Sequence, residues 1–189
     1  NIIESMFAKE GEIRTDVQSR QVLTREVVDY RVSLATYGTA LSDMQRKEIL
    51  QGSLDLLRAY ERTPALCKDI AMTGGQYMTQ EQLRIGGDLL NHAMIAMTEN
   101  LLDARSAASE GATSVPVPPT EKDYGLLVQM LIDRGMSDDQ LQALFNEDTS
   151  HPQFCQMQIE FLQALLDLDG PSGEAVRFEV GQAMLTAAP

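Results

Sequence analysis

The chain has 189 residues, with 28 acidic and 15 basic side chains and a formal net charge of −13. That length suits one good core, or a helical bundle with a smaller helical lobe, and that charge argues against phosphate-backbone binding, which rests on clustered Lys and Arg. The longest apolar runs fall far short of the roughly 20 residues a membrane-spanning helix needs.

Taken in order, the first dozen residues, NIIESMFAKEGE, hold an apolar patch at Ile2, Ile3, Met6 and Phe7, the pattern of a docking turn or a frayed arm. Asn1 in place of Met suggests an excised or processed piece, which leaves room for a removed signal or flanking span. A helix is expected from about Ile13 to Tyr37, with Leu23, Val27, Tyr30, Leu34 and Tyr37 spaced by fours and threes and Gly38 as its C′ residue. Ser42 opens the next helix, Gln45 completes a capping box, and Ile49, Leu50, Leu54, Leu57 and Tyr60 supply its buried side to about Arg62. Thr63-Pro64 predicts a short helix from Pro64 to Met72, stopped by Gly74-Gly75.

The best-signalled helix is 79–107. Thr79 is placed as N-cap with Gln82 three residues on, and Met78 with Leu83 forms the matching hydrophobic staple. Leu83, Leu90, Met97 and Ala104 recur every seven residues, and Leu89, Ala93 and Ala96 widen the apolar face. Only a stripe through Arg84, Asp88, Asn91 or His92, Glu99 and Asp103 stays polar, so this helix is expected to be a buried scaffold around which the rest packs. Gly86-Gly87 inside it, each costing roughly 1 kcal/mol relative to Ala, predict close approach of a neighbouring helix or a bend.

Small residues and three prolines from Pro116 make SAASEGATSVPVPP an exposed, protease-sensitive connector and the candidate domain boundary. Four short helices are expected beyond it. The first runs from about Glu121 to Arg134, burying Tyr124, Leu127, Val128 and Leu131, and stops at Gly135. The second is capped by Ser137, with Gln140 completing the box and Met136 and Leu141 the staple. The third follows Ser150 and Pro152, carries Phe154, Met157, Leu162 and Leu165, and closes at Gly170-Pro171; the fourth runs from Glu174 to about Thr186.

Candidate chemistry is sparse. Cys67 and Cys155 stand about ninety residues apart on two predicted helices, neither a disulfide framework nor a metal signature, and read as small buried hydrophobes. His92 on the polar stripe and His151 before a proline read as surface residues, and the Glu-x-x-His element of di-iron bundles is absent, so no metal, cofactor or catalytic residue is assigned. Charge is uneven: residues 1–107 carry 15 acids against 12 bases, net −3, and residues 120–189 carry 12 against 3, net −9. Asp138, Asp139, Glu147 and Asp148, at the first turn and exit of one short helix, are the candidate partner-binding residues. The ten Met are a surface that adapts to several partner helices or, as Met94, Met97, Met130 and Met157 suggest by position, core.

Residues 126–188 resemble the type III secretion gatekeeper family. The resemblance lies in LLVQMLIDRGMSDDQLQALF, NEDTSHPQFCQMQIEFLQALL and GPSGEAVRFEVGQAML, with Ser137, Gln140, Leu141 and Ala143, then Pro152 fifteen residues after Ser137, then Leu162. It covers about a third of the chain, and residues 1–119 have no counterpart in it. It implies a bacterial cytoplasmic or secreted virulence regulator that binds secretion components and chaperones and has no catalytic residues to carry over.

The expected architecture is therefore all-α: an N-terminal antiparallel bundle over 1–107, a linker over 108–119, and a smaller C-terminal bundle over 120–189. The expected function is a non-enzymatic protein–protein interaction or regulatory module for a basic or helical partner, without nucleic acid and without a membrane span in this piece. A periplasmic or extracytoplasmic ligand-sensing bundle of a membrane receptor is the alternative, and a small-molecule enzyme comes third.

Overall fold

The computed structural model describes residue 30 and residues 33–73, 80–111 and 117–186. The expected N-terminal arm, most of the helix from Ile13, and the cap and staple at Met78 and Thr79 lie outside the described residues. Among the described residues the fold is all-α, with no strand. Residues 33–35 are helical and a 3-10 turn follows at Gly38–Ala40. Then come α1 (Asp43–Ala59), α2 (Pro64–Thr73), α3 (Gln80–Ser109), α4 (Glu121–Asp133), α5 (Asp138–Phe145), α6 (Phe154–Asp167) and α7 (Gly170–Thr186).

The caps show why these segments start where they do. At α1 the Gln45 N–H donates to Ser42 Oγ at 3.3 Å and the Ser42 N–H donates to Gln45 Oε1 at 2.9 Å, so each residue's side-chain oxygen satisfies the other's backbone donor. Ser137 and Gln140 repeat this at α5, with distances of 3.3 and 2.8 Å. The staple residues Met136 and Leu141 are both buried. α4 ends in a Schellman motif: Gly135, at φ +92°, donates to Ile132 O, and Met136 donates to Leu131 O. Gly170-Pro171, expected only as a stop, closes α6 and also opens α7, which begins four residues before the expected Glu174. Gly170 takes φ +72° and Pro171 fills the first helical turn, where a missing N–H leaves nothing unpaired.

Packing differs from the expected plan in two ways. The parts expected as separate bundles before and after the connector share one core: Leu50, Leu54 and Leu57 of α1 and Leu66 and Ile70 of α2 are clustered with Leu127, Leu131, Leu144, Met157, Leu165 and Val176. A smaller cluster joins Leu34, Leu41 and Ile49 to Leu101 and Ala104 of α3. The expected role of the 79–107 helix as buried organiser is also corrected. α3 is one helix of 30 residues, but Leu89 and Ile95 are 41% and 37% exposed. Among the described residues its principal neighbours are α1 and the 3-10 turn, whereas α1 packs against α2, α3, α6 and α7. α1 and α3 approach closely at Gly52, where a Cβ would stand 3.2 Å from that of Ala93, so that the neighbour would have to give by a few tenths of an ångström; the surroundings of Gly86-Gly87 lie outside the described residues.

Candidate functional site

Two features gather on one side of the molecule, where α2 meets the turn between α5 and α6. The first is the edge carrying the four acidic residues singled out from the sequence. Asp138 and Asp139 occupy the first turn of α5, where carboxylates complement the helix dipole. Glu147 and Asp148 follow its end, in a second Schellman motif: the Glu147 N–H donates to Leu144 O and the Asp148 N–H to Ala143 O. Here the C′ position is Glu147 at φ +53°, a left-handed conformation that normally favours glycine.

The turn then runs back beside the start of α5. His151 Nε2 lies 3.3 Å from Asp139 Oδ2, and His151 Nδ1 accepts from the Gln153 N–H at 3.1 Å, so the neutral ring donates from Nε2. With its side chain only 13% exposed, His151 is not the surface residue expected; it ties Asp139 to the start of α6. Asp148 accepts from both the N–H and the hydroxyl of Ser150, which hold its carboxyl below the usual range, with His151 and Lys68 adding to the effect. Asp139 and Asp148 thus serve the turn. Among the described residues no contact ties down the exposed side chains of Asp138 and Glu147.

The second feature overturns an expectation. Cys67 and Cys155, read as separate small hydrophobes, form a disulfide with Cα atoms 5.7 Å apart across 88 residues of chain. Cys67 is fully buried and Cys155 nearly so, at 0% and 6% exposure. The bond joins the first turn of α2 to the first turn of α6, and so crosses the connector. Count and spacing alone gave no hint of pairing, because a span of this length fixes no geometry. A fainter signal was available: both cysteines stand three residues after a proline, in Pro64-Ala-Leu-Cys67 and Pro152-Gln-Phe-Cys155, at the beginnings of two helices. Beside the bond lies an open pocket of about 190 Å³, lined by Pro64, Ala65 and Lys68 of α2, the turn 149–152, and Phe154 and Cys155 of α6.

A further residue that sequence reasoning missed braces the other end of α6. Arg177 of α7, 1% exposed, donates to both carboxylate oxygens of Asp43 at 2.7 and 2.8 Å and to the carbonyls of Leu165 and Leu168 at 2.8 and 2.6 Å. One guanidinium therefore closes the end of α6 and docks the start of α1. Arg46 lies beneath Phe178, its guanidinium 4.8 Å from the ring centre, and burial lowers its pKa against the favourable field of Asp43 and Glu174. With Arg177 in this pair and Arg134 held by Asp167 at 2.5 Å, two of the three bases of the acidic segment are already engaged.

Among the described residues no group of His, Cys, Asp and Glu is arranged to hold a metal ion, and no helix is long and apolar enough to cross a membrane. The fold and site define an all-α, disulfide-linked domain with an acidic edge. No family model, no curated protein and no solved structure matches the chain.

Proposed function

We propose that the chain is a non-enzymatic helical interaction module working in an oxidising, extracytoplasmic compartment, with its acidic edge turned to a basic protein partner. The observation that carries the compartment is the buried Cys67–Cys155 disulfide, since such bonds persist where thiols are not kept reduced and are rare in the cytosol. The same bond weighs against the cytoplasmic gatekeeper-like regulator that the 126–188 resemblance implies. The partner class rests on Asp138 and Glu147, exposed acids of a segment carrying 12 acids against 3 bases.

Two measurements test this reading. Thiol blocking at lysis of the native source, followed by mass spectrometry, is expected to find the two cysteines paired; free thiols at both positions overturn the compartment. Reversing Asp138 and Glu147 to Lys together is expected to leave helicity unchanged and to weaken partner capture, with wild-type capture fading above about 0.1 M salt, where the Debye length falls to about 10 Å. An unchanged partner set overturns the partner class. A second reading, the ligand-sensing bundle of a membrane receptor, is favoured by the same disulfide and by the pocket beside it. A small molecule co-purifying with the domain and lost on filling that pocket decides for it.

A further inference from the structure

We propose that Cys155 is a thiol–disulfide exchange site, and that the pocket between the starts of α2 and α6 admits a small dithiol to its sulfur. The two cysteines of the bond are not equally placed. Cys155 lines the pocket, whereas Cys67 does not line it and is fully buried. An attacking thiolate must approach along the S–S axis of the sulfur it strikes, so this asymmetry selects Cys155 as the electrophile and Cys67 as the leaving group.

The charges around the pocket are mixed: Lys68 and the two helix starts favour an entering anion, and the neighbouring carboxylate of Asp148, whose field reaches Lys68, opposes it. The attacking species is an anion, and it enters between the N-terminal ends of α2 and α6, the positive ends of the two helix dipoles. Lys68 adds a full positive charge to the lining. Cys67 is the fourth residue of α2 and Cys155 the second of α6, so each thiolate, once released, sits at a helix N-terminus that stabilises it. A thiolate of the dithiol bonds to Cys155 Sγ while the Cys155–Cys67 bond breaks, and its electron pair leaves on Cys67, which takes a proton from water. The second thiol of the reagent, as thiolate, then attacks the reagent's own sulfur and expels Cys155 as a thiolate. Cys155 in turn takes a proton from water, so the dithiol ends as a disulfide and the protein as two thiols. Reduction leaves Leu66 and Ile70 as the buried anchors of α2, so the bond controls how firmly α2 is held against α6. This inference is independent of the partner reading.

Dithiothreitol without denaturant is the probe, with alkylation of the released thiols as the readout. The reduction rate is expected to rise in proportion to reagent concentration and to exceed the separately measured global unfolding rate. A rate that levels off at the unfolding rate overturns the proposal. Ala65 is exposed, so Ala65→Phe fills the pocket without entering the core. It is expected to slow reduction by blocking access, and Lys68→Glu to slow it about tenfold, the low end of what local charge does to an encounter with an anion; unchanged rates in both overturn the route. Quenching a reaction with glutathione and digesting with trypsin separates residues 63–68 from residues 135–177. The adduct is expected on the Cys155 fragment, and an adduct mainly on Cys67 overturns the assignment.

Discussion

The long helix α3 and the shorter α6 both read as amphipathic, yet the chain treats them in opposite ways. Among the described residues α3, 30 residues long, packs mainly against α1 and the 3-10 turn, leaving Leu89 and Ile95 partly exposed. α6 spans 14 residues and meets α1, α2, α4, α5 and α7. It buries Phe154, Met157, Ile159, Leu162 and Leu165, is tied by Cys155 at its start, and has its last carbonyls taken by Arg177. A periodic apolar stripe says that a face will be covered. It does not say on how many sides, because that depends on which other segments return to it.

The largest expected effect breaks α6 at its end. Arg177→Ala removes the partner of Asp43 and of two carbonyls at once and is expected to cost about 3–5 kcal/mol, as when one member of a buried ion pair is deleted. Urea unfolding checks it, and a loss below about 1 kcal/mol would show that the α1–α7 junction does not depend on this residue. Next, matched truncations sharpen the contrast directly. Leu165→Ala in α6 is expected to cost about 2–5 kcal/mol, whereas Leu90→Ala in α3, only partly buried, is expected to fall at or below the bottom of that range. Equal losses would restore α3 to the organising role its pattern suggested.

Two smaller effects probe the turns around α6. The Schellman motifs after α4 and α5 differ at C′, Gly135 in one and Glu147 in the other, both at positive φ. Gly135→Ala is expected to destabilise by about 1 kcal/mol and Glu147→Gly to stabilise by up to about 1 kcal/mol, read as shifts in the unfolding midpoint. A destabilised Glu147→Gly would mean that the Glu side chain contributes a contact worth more than the backbone strain. At low pH the start of α4 is the sensitive point. Hydrogen bonds from Ser172 and from the hydroxyl and N–H of Thr120 hold the Asp123 carboxyl at about 2, against an ordinary 3.8. A lowered folded-state pKa contributes stability in full above the unfolded value, and that contribution is lost as pH falls from about 4 towards 2. Asp123→Asn is expected to flatten stability against pH in that window, as followed by helical signal; an unchanged slope would assign the acid sensitivity to Asp148 and Asp167, whose carboxyls are also lowered.

What the sequence determined by itself is local. The helix starts at Ser42, Pro64 and Ser137, the stop at Gly135 and the buried faces of α1, α4 and α6 follow from donors, φ preferences and spacing within a few residues, and these are legible without knowing where the chain goes next. The four acids were likewise placed at the start and exit of one helix, where they lie. Only the tertiary structure decided that α1 and α2 share a core with the helices beyond the connector, that Cys67 meets Cys155, that His151 turns inward to Asp139, and that Arg177 reaches Asp43. Three of these four join residues more than 80 positions apart, and the fourth depends on how the turn after α5 folds back. No propensity or period carries that information, because each partner offers a donor, thiol or apolar face that many others could satisfy, and the choice among them is made by the packing of the whole chain.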